Sequence, residues 1–181
     1  TKNFKGPTWY TTDSYLDSLN IPKNLTIGVM VNSYELISHP LGFLKATKLM
    51  FKSAKKSKVK FVRLASHFED FNETTKICKI LKDMGYLVTI NLMQISELSE
   101  EKIISVAKIS QKISPDVLYF ADSLGSMVPS KISNLIRTLR MYWKGPIGAH
   151  THNNLNNAIA NSLKALDSGA TWLDCTILGM G

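Results

Sequence analysis

Residues 117–152 read VLYFADSLGSMVPSKISNLIRTLRMYWKGPIGAHTH, and the order of apolar, turn and charged residues along this stretch decides the fold class. VLYFADS (117–123) is a nearly continuous apolar run that closes on a carboxylate, a hydroxyl and then a glycine. Beyond Pro129, the residues Ile132, Leu135, Ile136 and Leu139 recur at spacings of three and four, which places them on one stripe of a helix. PIGAHTH (146–152) is a second short strand. Two apolar strands joined by an amphipathic helix predict a parallel pair covered by helix, because a parallel connection needs a crossover of about a dozen residues or more.

The same pattern extends outward in both directions. LTIGVMVN (25–32), VKFVRLA (59–65), LVTINLM (87–93) and TWLDCTIL (171–178) complete a set of six strands. Leu155, Ile159, Leu163 and Leu166 form a second helical stripe after the histidines. Gly85 and Gly169 stand where left-handed helix caps belong, and Ser99 followed by Glu100 and Glu101 marks a helix start. Residues 1–24 read as a loop and short helix connecting from an earlier unit. The strand repeat fits an α/β fold, either an open doubly wound sheet or a barrel. No Gly-x-Gly-x-x-Gly or Walker loop follows a strand, which removes the usual support for a nucleotide-binding open sheet.

With 181 residues, 44% of them hydrophobic and 20% charged, the chain has the makeup of one globular domain spanning 1–181. No run approaches the ~20 apolar residues that span a bilayer, and the polar opening TKNFKGP lacks a signal-peptide core, so no membrane partner and a cytoplasmic location are expected. Cys78 and Cys175 support neither a disulfide framework nor a cysteine metal site. The net charge of +8 is spread along the chain. Its one dense patch, Lys55, Lys56, Lys58 and Lys60, falls where a helix should end. Without aromatic-basic interleaving or a groove-reading motif, no nucleic-acid partner is expected. The charge suits small anionic substrates.

Alternate side chains of a strand share a face, so His150 and His152 project together. Two imidazoles at that spacing can hold one divalent metal, or they can be two partly buried polar residues at a strand end. Other strands carry Asn32, Arg63, Asn91, Asp122 with Ser123, and Asp174 toward their ends, where a barrel would gather them. Asp122 and Ser123 could orient an anionic substrate or cap the following turn. Arg63 could bind a carboxylate or pair with an acidic neighbour. Asn153 and Asn154 could hold the loop after the histidines. His67 reads as a surface histidine and Cys175 as core packing.

IGAHTHNNLNNAIANSLKALDSGATWLDCTILGMG and ADSLGSMVP, in this order and spacing, resemble the signature of the DRE-TIM metallolyases. These are the HMG-CoA-lyase-like barrels, which include 4-hydroxy-2-oxovalerate aldolase and the isopropylmalate and homocitrate synthases. The resemblance implies that His150 and His152 are metal ligands and that Asp122, Ser123, Asn91 and Arg63 line the substrate pocket. It implies a divalent cofactor (Mn, Mg, Co or Zn), a small 2-oxo acid substrate, and carbon-carbon lyase or aldolase chemistry through a metal-stabilised enolate. The Ala-Asp-Ser-Leu-Gly and His-Thr-His-Asn-Asn forms resemble the aldolase branch more than the acetyl-CoA-dependent synthases, which stand as the alternative beside a non-catalytic binding module. The carboxyltransferase branch, which uses a carbamylated strand lysine, ranks lower because the strands lack a candidate lysine.

Counting back from the His-x-His strand as the seventh makes LTIGVMVN the third. The expectation is therefore a partial (β/α)8 TIM barrel of about six units, corresponding to strands 3–8. Residues 1–24 carry no Asp-x-x-Leu-Arg-Asp-like motif, which in this family supplies the catalytic arginine and an aspartate metal ligand. The resemblance therefore implies a catalytic arginine upstream of Thr1, and this segment alone is expected to be inactive. The resemblance also implies that Gly179-Met180-Gly181 stand inside the family's glycine-rich segment, ahead of the asparagine that often completes the metal sphere. Exposed apolar edges of such a partial barrel predict a homo-oligomer.

Overall fold

The computed structural model describes residues 5–176. Two short helices, α1 (Pro7–Tyr10) and α2 (Asp13–Ser18), stand ahead of the sheet, where a loop and one short helix were expected. Thr12 caps α2 by accepting the Tyr15 N–H. The sheet-forming part then runs β1 (Ile27–Asn32), α3 (Ser33–Ile37), α4 (Phe43–Met50), β2 (Val59–Ser66), α5 (Phe71–Asp83), β3 (Leu87–Leu92), α6 (Glu100–Ile113), β4 (Val117–Asp122), α7 (Pro129–Tyr142), β5 (Ile147–Thr151), α8 (Ala158–Asp167) and β6 (Trp172–Leu173). No helix among the described residues is long and apolar enough to cross a membrane.

All six strands are parallel and pair in sequence order from β1 to β6. This order separates the two architectures that strand spacing left open, since a doubly wound sheet reverses its order at a switch point. The sheet is also rolled. Strands lie about 4.8 Å apart, so β2 and β6 in a flat sheet would be about 19 Å from one another. Here the Phe61 and Trp172 rings stack with centroids 6.1 Å apart, and Arg63 pairs with Asp174. The fold is a partial (β/α)8 barrel.

Period-two alternation then sorts the side chains. Val62, Leu64, Val88, Ile90, Leu118, Phe120, Ile147 and Ala149 face the helices and form the core. Phe61, Arg63, Tyr119, Trp172 and Asp174 line the lumen instead. α7 follows its sequence pattern, with Ile132, Leu135, Ile136 and Leu139 all buried. Each such side chain contributes about 1.5–3 kcal/mol on leaving water. α5 buries Cys78 as well, and burial pushes its thiol up to about 12. Gly85 (φ 91°) and Gly169 (φ 101°) take the left-handed positions expected after α5 and α8, and the Ser99 side chain accepts the Lys102 N–H.

Three expectations require correction. The stripe Leu155, Ile159, Leu163 and Leu166 faces solvent, with Ile159 77% exposed. α8 turns Asn161 and Ala165 inward instead, because the Asn161 amide donates to the Met127 carbonyl (2.9 Å) and Ser162 meets Thr151. The lysine patch sits on a short 3-10 turn (Ala54–Lys56) and the start of β2, not on an α-helix end. A lysine does lie within a strand, since Lys60 is in β2, but its ammonium donates to the carbonyls of Ala54 and Ser57 and stays outside the lumen.

Candidate metal centre

His150 is the penultimate residue of β5, and His152 lies just past the strand on the same face. Thr151, between them, points the other way and meets Ser162 and the Ala158 carbonyl on the α8 side. The two imidazoles converge, with His150 Nε2 and His152 Nε2 3.1 Å apart. The rings are crossed at 69°.

The other nitrogen of His150 meets a carboxylate: Nδ1 lies 2.7 Å from Asp174 Oδ2. Asp174 stands one residue beyond β6, where its backbone N–H donates to the Ala149 carbonyl (3.1 Å). Arg63 reaches the same carboxylate from β2. One terminal nitrogen donates to Asp174 Oδ1 at 2.8 Å and the other to Oδ2, a fork of two hydrogen bonds. The guanidinium also sits 4.0 Å from the centre of the Tyr119 ring, within range of a cation–π contact.

Burial alone would raise the Asp174 carboxyl, but hydrogen bonds to His150 and Arg63 and the charge of Arg63 outweigh it and hold the group at about 2. Burial pushes the Tyr119 phenol up to about 12, and the negative charge of Asp174 adds to it. Although burial opposes a charged Arg63, its pairing with Asp174 raises it above its ordinary value.

The remaining sequence candidates divide. Asn91 is buried on β3 with its Oδ1 unpaired among the described residues, and Thr89, two residues earlier on the same face, has an unpaired hydroxyl. Ser123 Oγ accepts the Gln94 N–H at 3.0 Å and ties the end of β4 to the loop after β3. Asp122 does not line the lumen. It points to the helix side, fully buried, and its two oxygens accept the Ser126 and Met127 N–H groups at 3.1 and 3.0 Å. Its expected substrate contact gives way to turn capping.

Arg63 lies mid-strand, not at a strand end, and takes the structural pairing of its two readings. Asn32 caps α3 by accepting the Tyr34 N–H. Asn153 accepts the Ala158 N–H, and Asn154 packs on Gly125, where a Cβ would stand 2.6 Å from the asparagine Oδ1. Cys175 is exposed, not packed in the core. Sequence reasoning missed Tyr119, whose only signal was its period-two place on a strand otherwise read as core. Two expectations concern the ends of the chain: Thr1, with the catalytic arginine expected upstream of it, and the glycine-rich run from Gly179 to Gly181 lie outside the described residues.

Two nitrogens each bound about 2.0–2.1 Å from one ion, at right-angled to tetrahedral geometry, lie about 2.8–3.4 Å apart. The 3.1 Å between the two Nε2 atoms fits that span. Among the described residues no group of three or more His, Cys, Asp and Glu side chains could hold a metal. The donor set in hand is the histidine pair, since Asp174 is engaged by His150 and Arg63. Further along the lumen, Arg63, Tyr119 and Asp174 border a cavity of about 710 Å³ that Phe61 and Trp172 also line and neither imidazole does.

A rolled parallel β/α sheet with paired imidazoles at the C-terminal end of a strand is a barrel of the kind that gathers its chemistry on that face. The chain belongs to the HMGL-like family, whose model matches residues 46–181, and so to the DRE-TIM metallolyases. It is 36% identical over 123 residues to a 4-hydroxy-2-oxovalerate aldolase of Pelotomaculum thermopropionicum, covering 68% of this chain and 36% of that protein. With the 4-hydroxy-2-oxovalerate aldolase of Carboxydothermus hydrogenoformans it shares 31% identity over 170 residues, 93% of this chain and 48% of the relative. The chain thus spans half or less of the length of these relatives.

Among solved structures it resembles the N-terminal domain of a Bacteroides vulgatus protein provisionally assigned as an aldolase. There the TM-score is 0.78 and the identity 28%, covering 100% of this chain and 58% of that one. It also shares its fold with the HMG-CoA lyase of Bacillus subtilis, with TM-score 0.70, 15% identity, and 93% and 60% covered.

Proposed function

We propose that this chain carries the metal-holding side of a divalent-metal-dependent carbon-carbon lyase, an aldolase acting on a small 2-oxo acid as the name of its 4-hydroxy-2-oxovalerate aldolase relatives describes. The observation that supports this most is the 3.1 Å approach of His150 Nε2 and His152 Nε2 at the C-terminal end of β5. His150 and His152 would hold the ion, and Mg, Mn, Co and Zn all accept such nitrogen donors alongside oxygen. When bound, a divalent ion supplies Lewis-acid withdrawal of charge from a keto acid's carbonyl, the charge that carbon-carbon cleavage releases toward an enolate.

The chain's own residues do the rest of what is proposed here. The unpaired Asn91 Oδ1 is a buried acceptor suited to a substrate hydroxyl, and leaving it unmatched favours a ligand that donates to it. Ser123 holds the Gln94 loop beside the same strand ends. Arg63 and Asp174 neutralise one another, so the lumen presents the imidazoles without a competing free carboxylate.

Metal content after dialysis tests the ligand assignment. The protein should retain one divalent ion per chain, and His150→Ala and His152→Ala should each lose it. Unchanged content in both variants overturns the assignment. Turnover of 4-hydroxy-2-oxo acids without acyl-CoA supports the aldolase branch, whereas strict dependence on acetyl-CoA supports the synthase alternative.

A further inference from the structure

Asp174 touches both the candidate ligand His150 and the one arginine that crosses the lumen from β2, and the geometry gives it a specific task. We propose that Asp174 is a positioning residue for the metal centre: its carboxylate accepts the hydrogen bond from His150 Nδ1–H and so leaves that ring's Nε2 lone pair on the side of His152, while Arg63, seated on Tyr119, holds the carboxylate. The proposal rests on reading His150 and His152 as the ligands.

A neutral imidazole has one N–H and one lone pair, and an ionised carboxylate can only accept. At 2.7 Å from Asp174 Oδ2, His150 Nδ1 therefore carries the proton and Nε2 the lone pair. His152 Nε2, 3.1 Å away, must then donate to that lone pair in the metal-free protein. With both rings neutral, this assigns them opposite tautomers. In this state His150 has its Nε2 lone pair free for a cation, whereas His152 would offer its Nε2 only with its proton on Nδ1.

The support behind Asp174 forms a closed circuit. β6 is a two-residue edge strand, a weak platform on its own. The Asp174 carboxylate is fixed from across the lumen by both terminal nitrogens of Arg63. That guanidinium is seated 4.0 Å over the Tyr119 ring. Tyr119 in turn packs against Gly148, two residues before His150 on the same face. With its fork committed to Asp174, Arg63 acts through the carboxylate and not as the group that binds a substrate anion. Carboxylates behind a metal-ligating histidine typically account for 10–100-fold in affinity.

The test has two readouts on the full-length protein. Long-range proton–nitrogen NMR correlations at about pH 8, where ordinary imidazoles are neutral, report each tautomer without metal, and Co(II) titration followed by visible absorption reports affinity. The wild type should show His150 protonated at Nδ1 and His152 at Nε2. Asp174→Ala should return His150 to a mixture and weaken Co(II) binding about 10–100-fold. Asp174→Asn, which keeps an acceptor oxygen, should retain the tautomer and lose less affinity. Arg63→Met should weaken binding in the same direction with an unchanged far-UV spectrum.

Finding His150 protonated at Nε2 in the wild type, or unaltered tautomer and affinity in Asp174→Ala, overturns the proposal. Absence of Co(II) binding by the wild type overturns the ligand reading instead, and the tautomers still decide the role of Asp174. If the alanine variant does not fold, the wild-type and asparagine spectra decide alone.

Discussion

The Tyr119 ring packs so closely on Gly148 that a Cβ at residue 148 would stand 2.4 Å from the tyrosine Cε1. The two residues are direct partners on β4 and β5. Glycine is needed here for the close approach, since any side chain meets the ring that carries Arg63. Gly148→Ala should cost about 1–3 kcal/mol, the usual range for overpacking, and should weaken metal binding through the displaced Arg63. Urea denaturation measures the first effect, and an unchanged midpoint contradicts the packing.

Asp122 caps two backbone N–H groups of the turn that follows β4 and is fully buried. Asp122→Ala orphans both, at about 1–3 kcal/mol for each buried donor left without a partner. Asp122→Asn keeps one acceptor and should lose about half as much. Co(II) affinity should stay within about twofold of wild type, because the side chain faces away from the imidazoles. A stable Asp122→Ala variant with lost metal or substrate binding would restore the pocket-lining role expected from sequence.

What sequence could show depended on the distance between partners. The first five strands, the α7 stripe and the shared face of His150 and His152 follow from local periodicity and stand in the structure where the pattern put them, whereas of the sixth run, 171–178, only Trp172–Leu173 forms strand among the described residues. The pairing of Arg63 with Asp174 spans 111 residues and exists only because the sheet rolls. No local spacing reports that roll, so Arg63 kept two readings and Asp174 was only one polar strand end among several. Asp122 was ambiguous for the opposite reason. Its partners are four and five residues away, and a turn-capping carboxylate has the same sequence signature as one aimed at a ligand.

The stripes of α7 and α8 look alike in sequence and differ in burial. Ile136 is fully buried, whereas Ile159 is 77% and Leu163 58% exposed. Periodicity marks an apolar face without saying what covers it. Ile136→Ala should cost about 2–5 kcal/mol, while Ile159→Ser and Leu163→Ser should each stay within about 0.5 kcal/mol of wild type. Thermal unfolding of the three variants decides this, and a loss at Ile159 equal to that at Ile136 would show that its face is covered.

Tyr119 gives the fold a dependence on high pH. Burial, reinforced by the charge of Asp174, raises its phenol from 10.0 to about 12. Between these values the unfolded chain releases the proton and the folded one retains it, so the folded state binds more protons and stability falls as pH rises. The loss should begin near pH 10 and be complete above about 12, amounting to about 2–3 kcal/mol for two units. Tyr119→Phe keeps the ring beneath Arg63 but has no proton to lose. Measured against its own stability near pH 8, its decline between pH 10 and 12 should be shallower by about that amount. Parallel curves for the two proteins in urea titrations across this range would show that the Tyr119 phenol is not held protonated by the fold.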